Sequence, residues 1–239
     1  EEILLDEQES TTAEVFSSLD EGASRSEEWV SRNQNYILAV IGVIAVAVLG
    51  YMAYFQFVEK PKEASAANEM LYPQQYFDQA LSATAEKDSL FTLALNGAEG
   101  KYGFLDIIEE YNGTPAANLA KYSAGMAFLN MQKYDEAIKY LEGFSSDDLI
   151  LGALATGGLG DAFLQLNQPG DALGYYEQAF AHSANDFTTP KFLYKAGVTA
   201  LELKENDKAL KYFQRIKDEY PSSEEARTID AFIGKANNN

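Results

Sequence analysis

The chain has 239 residues, a formal net charge of −19 and no cysteine. The lack of cysteine excludes disulfides, thiolate metal ligands and a thiol nucleophile. The acidic excess disfavours nucleic acid and anionic lipid headgroups as partners, because like charges repel. His182 is the only histidine, so a nucleophile–base–acid set that works near neutral pH is missing. We therefore expect a protein that is not an enzyme and that uses no cofactor and no metal.

Residues 1–35 form an acidic segment with ten acidic and two basic residues. Its apolar residues are few and scattered, so it can bury little surface, and we expect a solvated tail or one whose short apolar clusters dock on a partner. Near its end, Ser26 is followed by Glu27 and Glu28, a pattern typical of a helix N-terminus. We predict a short interfacial helix near 26–34, with Trp29 at the membrane surface.

Residues 36–58 read YILAVIGVIAVAVLGYMAYFQFV and contain no charged side chain. About twenty helical residues, at a rise of ~1.5 Å each, cross a hydrocarbon core of ~30 Å. Aromatic residues stand at both ends of the stretch, as in the interfacial belts of membrane helices. We therefore predict a transmembrane helix over 36–58. A signal peptide fits less well, since the apolar run is too long and about 35 residues precede it.

Charges that flank this stretch do not decide its orientation. Arg25 and Arg32 precede it, and Lys60 and Lys62 follow it, so the positive-inside count is a tie.

Small residues mark one side of the predicted span. Gly42 and Ala45 lie on this side, with Leu38 and Leu49 near them. Helices associate in lipid through packing, which small residues favour by letting backbones approach closely. We predict that this transmembrane face contacts a partner's transmembrane helix. The alternative is a plain anchor that faces lipid all round.

After the span, the chain repeats itself at intervals of 35 and 37 residues. Each of three glycines is followed twelve residues later by an alanine: Gly125 by Ala137, Gly160 by Ala172, and Gly197 by Ala209. Larger residues recur beside these pairs, namely Phe128 and Leu141, Phe163 and Tyr176, and Ala200 and Phe213. The segments resemble tetratricopeptide repeats (TPR), in which small residues let two antiparallel helices touch. The sequence predicts an all-α fold, with a single N-terminal transmembrane helix followed by a TPR α-solenoid.

Around the predicted repeats, which occupy 118–221, we expect two further helical parts. Residues 59–117 are predicted to be a helical linker and a degenerate first repeat. Its second helix lies over 103–111, and its first lies over either 68–83 or 90–96. Residues 222–239 are predicted to be a capping helix with a frayed end at 237–239, begun by a capping box of Ser222 and Glu225.

The resemblance implies that the first helix of each repeat lines a concave, protein-binding groove. The positions that map there are Tyr122, Met126, Leu129, Asn130, Asp161, Leu164, Gln165, Lys191, Tyr194, Val198 and Leu201. This lining is aromatic and aliphatic with few charges, which suits extended or unfolded polypeptide, and Tyr122 and Tyr194 are the expected anchors. The family's carboxylate clamp needs Lys and Asn where this chain has Tyr122, Gly157 and Tyr194, so we exclude heat-shock co-chaperone function.

The layout of acidic tail, span and short acidic TPR domain resembles the YfgM-like proteins of the bacterial inner membrane. Two stretches resemble the Bacteroidota version: SEEWVSRNQNYI, and DSLFTLALNGAEGKYGFLDIIEEYNGTPAANLAKYSAG. The resemblance implies a single-pass inner-membrane protein with a cytoplasmic N-terminus and periplasmic repeats. It also implies association with the SecYEG translocon, with a PpiD-like membrane-anchored chaperone and with secreted chains.

Two other functions remain open from the sequence. One is a TPR scaffold in another envelope complex, for outer-membrane protein export or assembly. The other is an organelle adaptor whose repeats lie in the cytosol.

Overall fold

The computed structural model describes residues 29–182 and 184–238. Its regular structure is helical apart from one isolated bridge between Ala98 and Lys101, so the predicted all-α class is confirmed for these residues. The chain divides into two compact units, one up to Lys60 and one from Pro61 onward. The predicted acidic tail up to residue 28 lies outside the described residues.

The first unit contains the predicted span. Helix α1 (29–54) is followed by a π-helical turn, Phe55–Glu59. The described chain has one helix long and apolar enough to cross a membrane, and none of its most apolar window is buried. The short interfacial helix predicted near 26–34 lies partly outside the described residues; its described part, 29–34, is helical and continues into α1 without a break.

The remaining helices follow one another with short connections. They are α2 (Lys60–Glu69), α3 (Leu71–Ser82), α4 (Lys87–Asn96), α5 (Phe104–Glu110), α6 (Pro115–Asn130), α7 (Tyr134–Glu142), α8 (Leu151–Gln165), α9 (Pro169–His182), α10 (Thr189–Glu202), α11 (Asn206–Glu219), a 3₁₀ turn (Glu225–Thr228) and α12 (Ile229–Asn238).

Three helix pairs, α6–α7, α8–α9 and α10–α11, pack closely at the predicted glycines. A Cβ added at Gly125 would lie 2.6 Å from Cγ of Leu141, and one added at Gly160 would lie 2.6 Å from Cε1 of Tyr176. At Gly197 it would overlap the ring of Phe213. In each pair the glycine thus faces a large residue sixteen positions later, which confirms the predicted close contacts.

The turns inside these pairs share one backbone conformation. Gln132, Asn167 and Lys204 have φ values of 60°, 60° and 62°, and each lies seven residues after its repeat's glycine. The left-handed conformation ends the first helix and directs the chain into the second.

The first helix of each pair is preceded by a polar residue that accepts backbone hydrogen bonds. Thr114 Oγ1 accepts from the N–H of Ala117 at 3.1 Å. Asp148 Oδ1 accepts from the N–H groups of Ile150 (2.9 Å) and Leu151 (2.8 Å). Asn185 Oδ1 accepts from those of Phe187 (2.9 Å) and Thr188 (2.7 Å). The bonds from Leu151 and Ile150 stabilise the charged carboxylate and hold the pKa of Asp148 below its ordinary value.

Before the repeats, α3 packs against α4, and α5 packs mainly against α6. Of the two candidate first helices, α4 makes the larger contact with α5. Phe77, Phe91 and Phe104 form an edge-to-face cluster, with ring centroids 5.5 Å and 6.1 Å apart. These rings belong to a core that continues into α6 and α7.

The C-terminal segment differs from its prediction in two details. The N–H of Ala226 donates to Ser223 Oγ at 3.2 Å, so the cap lies one residue after the predicted Ser222. Helix α12 also continues to Asn238, whereas a frayed end was expected from residue 237. Phe232 of α12 packs against Phe213 of α11, with ring centroids 5.4 Å apart.

Candidate protein-binding surface

The eleven predicted groove residues lie on the first helices of the three pairs, α6, α8 and α10. None of them is fully buried; Gln165 and Val198 are exposed, and the other nine are half-buried. They therefore contribute to a surface, but most of them also contact neighbouring helices.

Tyr122 packs within the protein. Its ring centroid lies 5.3 Å from that of Phe144, and its side chain packs against a small cluster formed by Leu141, Ala155 and Leu159. Burial raises the pKa of the Tyr122 hydroxyl. The residue therefore joins the first and second repeats by packing, and its role as an anchor for a partner stays a prediction.

Tyr194 is likewise held by aromatic neighbours. Its ring meets that of Phe232 edge-on at a centroid distance of 5.1 Å and lies 6.4 Å from that of Phe213. Helix α12 thus covers part of the first helix of the third repeat, and Tyr194 packs against it. If Tyr194 binds a partner, it does so in addition to this packing.

Asp161 is engaged by two side chains from adjacent helices. The Tyr176 hydroxyl donates to Asp161 Oδ1 at 2.7 Å, and Lys195 Nζ lies 2.7 Å from Oδ2. Burial, together with the carboxylate, raises the pKa of Tyr176. The predicted groove residue Asp161 therefore ties α8 to α9 and α10 and is not an isolated charge.

The remaining groove residues have local contacts. A Cβ added at Gly158 would lie 3.4 Å from Met126 Sδ and 3.8 Å from Leu129 Cδ2, so both side chains pack against α8. Asn130 Nδ2 donates to the Met126 carbonyl at 2.9 Å. Gln165 accepts a hydrogen bond from the Tyr134 hydroxyl at 3.4 Å, and Lys191 Nζ lies 5.9 Å from the centre of the Phe192 ring. Leu164 and Leu201 pack against the hydrophobic core.

A groove between α3 and α6 was not foreseen from the sequence. It has a volume of about 740 Å³ and is lined by Met70, Leu71, Gln74, Gln75, Asp78, Gln79, Ser82 and Leu119. We call it the α3–α6 groove. Leu71 is 73% exposed and Leu119 is 39% exposed, so two leucines present open apolar surface here.

Two features of the sequence could have indicated the α3–α6 groove. Leu119 lies three residues before Tyr122 and seven before Met126, a spacing that places all three on one face of α6. The lining residues of α3 likewise recur at intervals of three and four positions. The α3–α6 groove therefore adds an N-terminal section to the surface predicted along α6.

The predicted transmembrane face lies open in the described chain. Leu38, Gly42, Ala45 and Leu49 are all exposed, and a Cβ added at Gly42 would meet nothing within 4 Å. A larger side chain at Gly42 therefore fits without a clash inside the chain.

Within the described residues, no group of three or more His, Asp or Glu side chains is placed to hold a metal ion. His182 is exposed at the end of α9, with Nε2 3.2 Å from the Asp148 carbonyl oxygen. The predicted groove residues and the α3–α6 groove instead offer apolar side chains, amides and few charges, which suit contact with another protein.

A family model described as tetratricopeptide repeat matches residues 122–186 and 158–224. No curated protein matches the chain. The two matches overlap and together cover most of the three helix pairs, so the chain contains TPR repeats. Such repeats are typically non-enzymatic protein–protein interaction scaffolds.

Proposed function

We propose that the chain is a membrane-anchored interaction protein whose helical domain, formed by the TPR repeats and the helices before them, holds a polypeptide partner beside the membrane. The apolar helix α1 supports the anchor, since 36–58 is long enough to cross a bilayer and is not buried in the described chain. The TPR repeats support a role in protein–protein interaction.

The α3–α6 groove is the observation that carries this proposal. Leu71 and Leu119 offer exposed apolar surface beside the amides of Gln74, Gln75 and Gln79. Amides both donate and accept hydrogen bonds, so they can pair with the backbone of an extended peptide, while the leucines bury its apolar side chains. Such a surface suits an extended, uncharged polypeptide segment.

The resemblance to YfgM-like proteins supports a more specific assignment. We propose an ancillary subunit of the SecYEG translocon in the bacterial inner membrane, with a cytoplasmic N-terminus and periplasmic repeats. It works with a PpiD-like chaperone on secreted chains. The resemblance in the two quoted stretches and in the overall layout carries this assignment.

Purification of the full chain in mild detergent, followed by identification of the co-purifying proteins, tests both levels of the proposal. Leu71→Glu is the test variant, and Leu81→Glu is its matched control, an exposed leucine of the same helix outside the α3–α6 groove. Loss of a buried anchor costs about 2 kcal/mol, roughly thirtyfold in affinity. We expect Leu71→Glu to lose the partner and Leu81→Glu to keep it.

Three results would contradict the proposal at different levels. Equal partner yield from Leu71→Glu and wild type would rule out the α3–α6 groove as the binding surface. Recovery of outer-membrane export or assembly components without the translocon would reject the SecYEG assignment and favour the envelope scaffold. A C-terminal reporter that is active only in the cytosol would reject periplasmic repeats.

A further inference from the structure

Two loops between successive helix pairs carry exposed apolar side chains. Leu149 (59% exposed) and Ile150 (42%) end the loop at 143–150, and Phe187 (64%) lies in the described part of the next loop, at 184–188. These side chains leave apolar surface in contact with water, and burying that surface in an apolar environment is favourable.

Both loops hold these side chains outward in the same way. Asp148 and Asn185 each accept hydrogen bonds from the backbone two and three residues later, at 2.7–2.9 Å. The residues in between, which include Leu149 and Phe187, are thereby fixed at the tip of the turn. Their exposure follows from a defined backbone geometry that recurs after 37 residues.

Hydrogen bonds connect this edge of the domain to the segment that follows the apolar stretch. Lys62 Nζ donates to the Asn112 carbonyl at 2.9 Å, and the Ala116 N–H donates to Glu63 Oε2 at 3.1 Å. Asn118 Nδ2 then donates to the Ser145 carbonyl at 2.7 Å. Next, His182 Nε2 lies 3.2 Å from the Asp148 carbonyl oxygen. The three loops that precede α6, α8 and α10 thus lie along one edge, which begins at Lys62.

Lys62 follows Val58, the last residue of the predicted span, by four positions. Four residues reach at most ~14 Å. The start of this edge is therefore tied to the membrane surface by the chain itself, whatever the orientation of the domain.

The opposite edge of the repeats provides an internal comparison. It holds the turns within the three helix pairs, whose residues include Gln132, Lys133, Asn167, Gln168, Lys204 and Glu205. Among the described residues, no large hydrophobic side chain of these turns is exposed. Exposed apolar side chains thus occur in the loops of the edge that begins at Lys62 and not in the turns of the opposite edge.

We propose that this edge rests on the bilayer, with Leu149, Ile150 and Phe187 inserted at the membrane interface. The inference rests on the proposed membrane anchor. Asp147, Asp148 and Asp186 lie in the same loops and repel anionic headgroups, so the lipid surface is a zwitterionic one. Aromatic and aliphatic tips suit that region, where apolar groups meet polar headgroups.

Tryptophan fluorescence in nanodiscs of acyl-brominated phosphatidylcholine tests this contact with the purified full chain. Trp29 is the only tryptophan, so Trp29→Phe provides a silent background. Phe187→Trp reports the apolar edge, Gln168→Trp reports the opposite edge, and Met52→Trp reports the span. Relative to unbrominated lipid, we expect Phe187→Trp and Met52→Trp to lose most of their fluorescence and Gln168→Trp to keep it. Leu149→Trp should behave like Phe187→Trp.

Each other outcome contradicts a distinct statement. Quenching of Met52→Trp without quenching of Phe187→Trp and Leu149→Trp overturns the lipid contact and leaves the anchor intact; in that case a protein covers these tips. Quenching of Gln168→Trp to the same extent also overturns the proposed edge. Failure to quench Met52→Trp overturns the anchor and, with it, this inference.

Discussion

Lys195 and Asp161 form an ion pair between the first helices of the second and third repeats, with Nζ 2.7 Å from Oδ2. Tyr176 donates its hydroxyl to the same carboxylate at 2.7 Å. One acidic side chain therefore joins α8, α9 and α10. Since the two charged side chains are 30% and 33% exposed, solvent screens the pair and its net contribution is moderate.

Asp161→Asn should lower the free energy of unfolding by about 1 kcal/mol, because the charge-assisted bonds weaken while the shape is kept. The control is Asp230→Asn, which removes the charge from a more exposed pair with Lys217 and should have a smaller effect. Thermal unfolding of both variants, followed by circular dichroism, measures the difference. Equal shifts for the two variants would contradict the joining role of Asp161.

Gly160→Ala and Gly174→Ala should change stability in opposite directions. The added methyl group at Gly160 meets the Tyr176 ring, whereas at Gly174 nothing lies within 4 Å. Overpacking costs about 1–3 kcal/mol, and replacing an unobstructed helical glycine by alanine gains about 0.5–1 kcal/mol. Denaturant midpoints should therefore fall for Gly160→Ala and rise for Gly174→Ala. A rise for both would show that α8 and α9 do not pack this closely.

Tyr194→Ala should destabilise the protein, because the ring packs on Phe232 and Phe213. We expect a loss of about 2 kcal/mol, less than for a fully buried aromatic residue. Tyr194→Phe keeps the ring contacts and serves as the control, with a nearly unchanged melting temperature. An unchanged melting temperature for Tyr194→Ala would mean that the residue is not a packing residue.

Local spacing made the repeats predictable. Gly125, Gly160 and Gly197 identify the close contact of each helix pair because only a small residue fits there, and the partner sixteen positions later is large in every copy. The TPR family model matches two overlapping segments of the chain because of the same spacing of residues.

The binding surface was less predictable because it depends on contacts between distant segments. Tyr194 maps to the concave face by repeat position, but the packing of Phe232 from α12 onto it is not encoded in that spacing. The α3–α6 groove was missed since α3 lies outside the repeat register. The left-handed residues Gln132 and Lys204 carry no glycine signal either.

Gly42→Leu should weaken co-purification of a membrane partner without preventing insertion, because leucine blocks close helix approach. Ala47→Leu is the matched control, about 140° around the helix from Gly42, and should leave the complex intact. Both positions are exposed in the described chain, so neither variant disturbs internal packing. The amount of partner recovered in mild detergent is the measurement. Equal recovery from the two variants would favour a plain anchor that faces lipid all round.

Photocrosslinking in living cells tests the central claim, that the first-helix face of the repeats holds a protein partner. A photoreactive residue at Leu119 or Val198 probes that face, and one at Lys211 or Gln214 probes the exposed side of the second helix α11. We predict one discrete crosslinked partner from the first two positions and none from the other two. Crosslinks from Lys211 and Gln214, with none from Leu119 and Val198, would contradict the claim and place the partner on the opposite face.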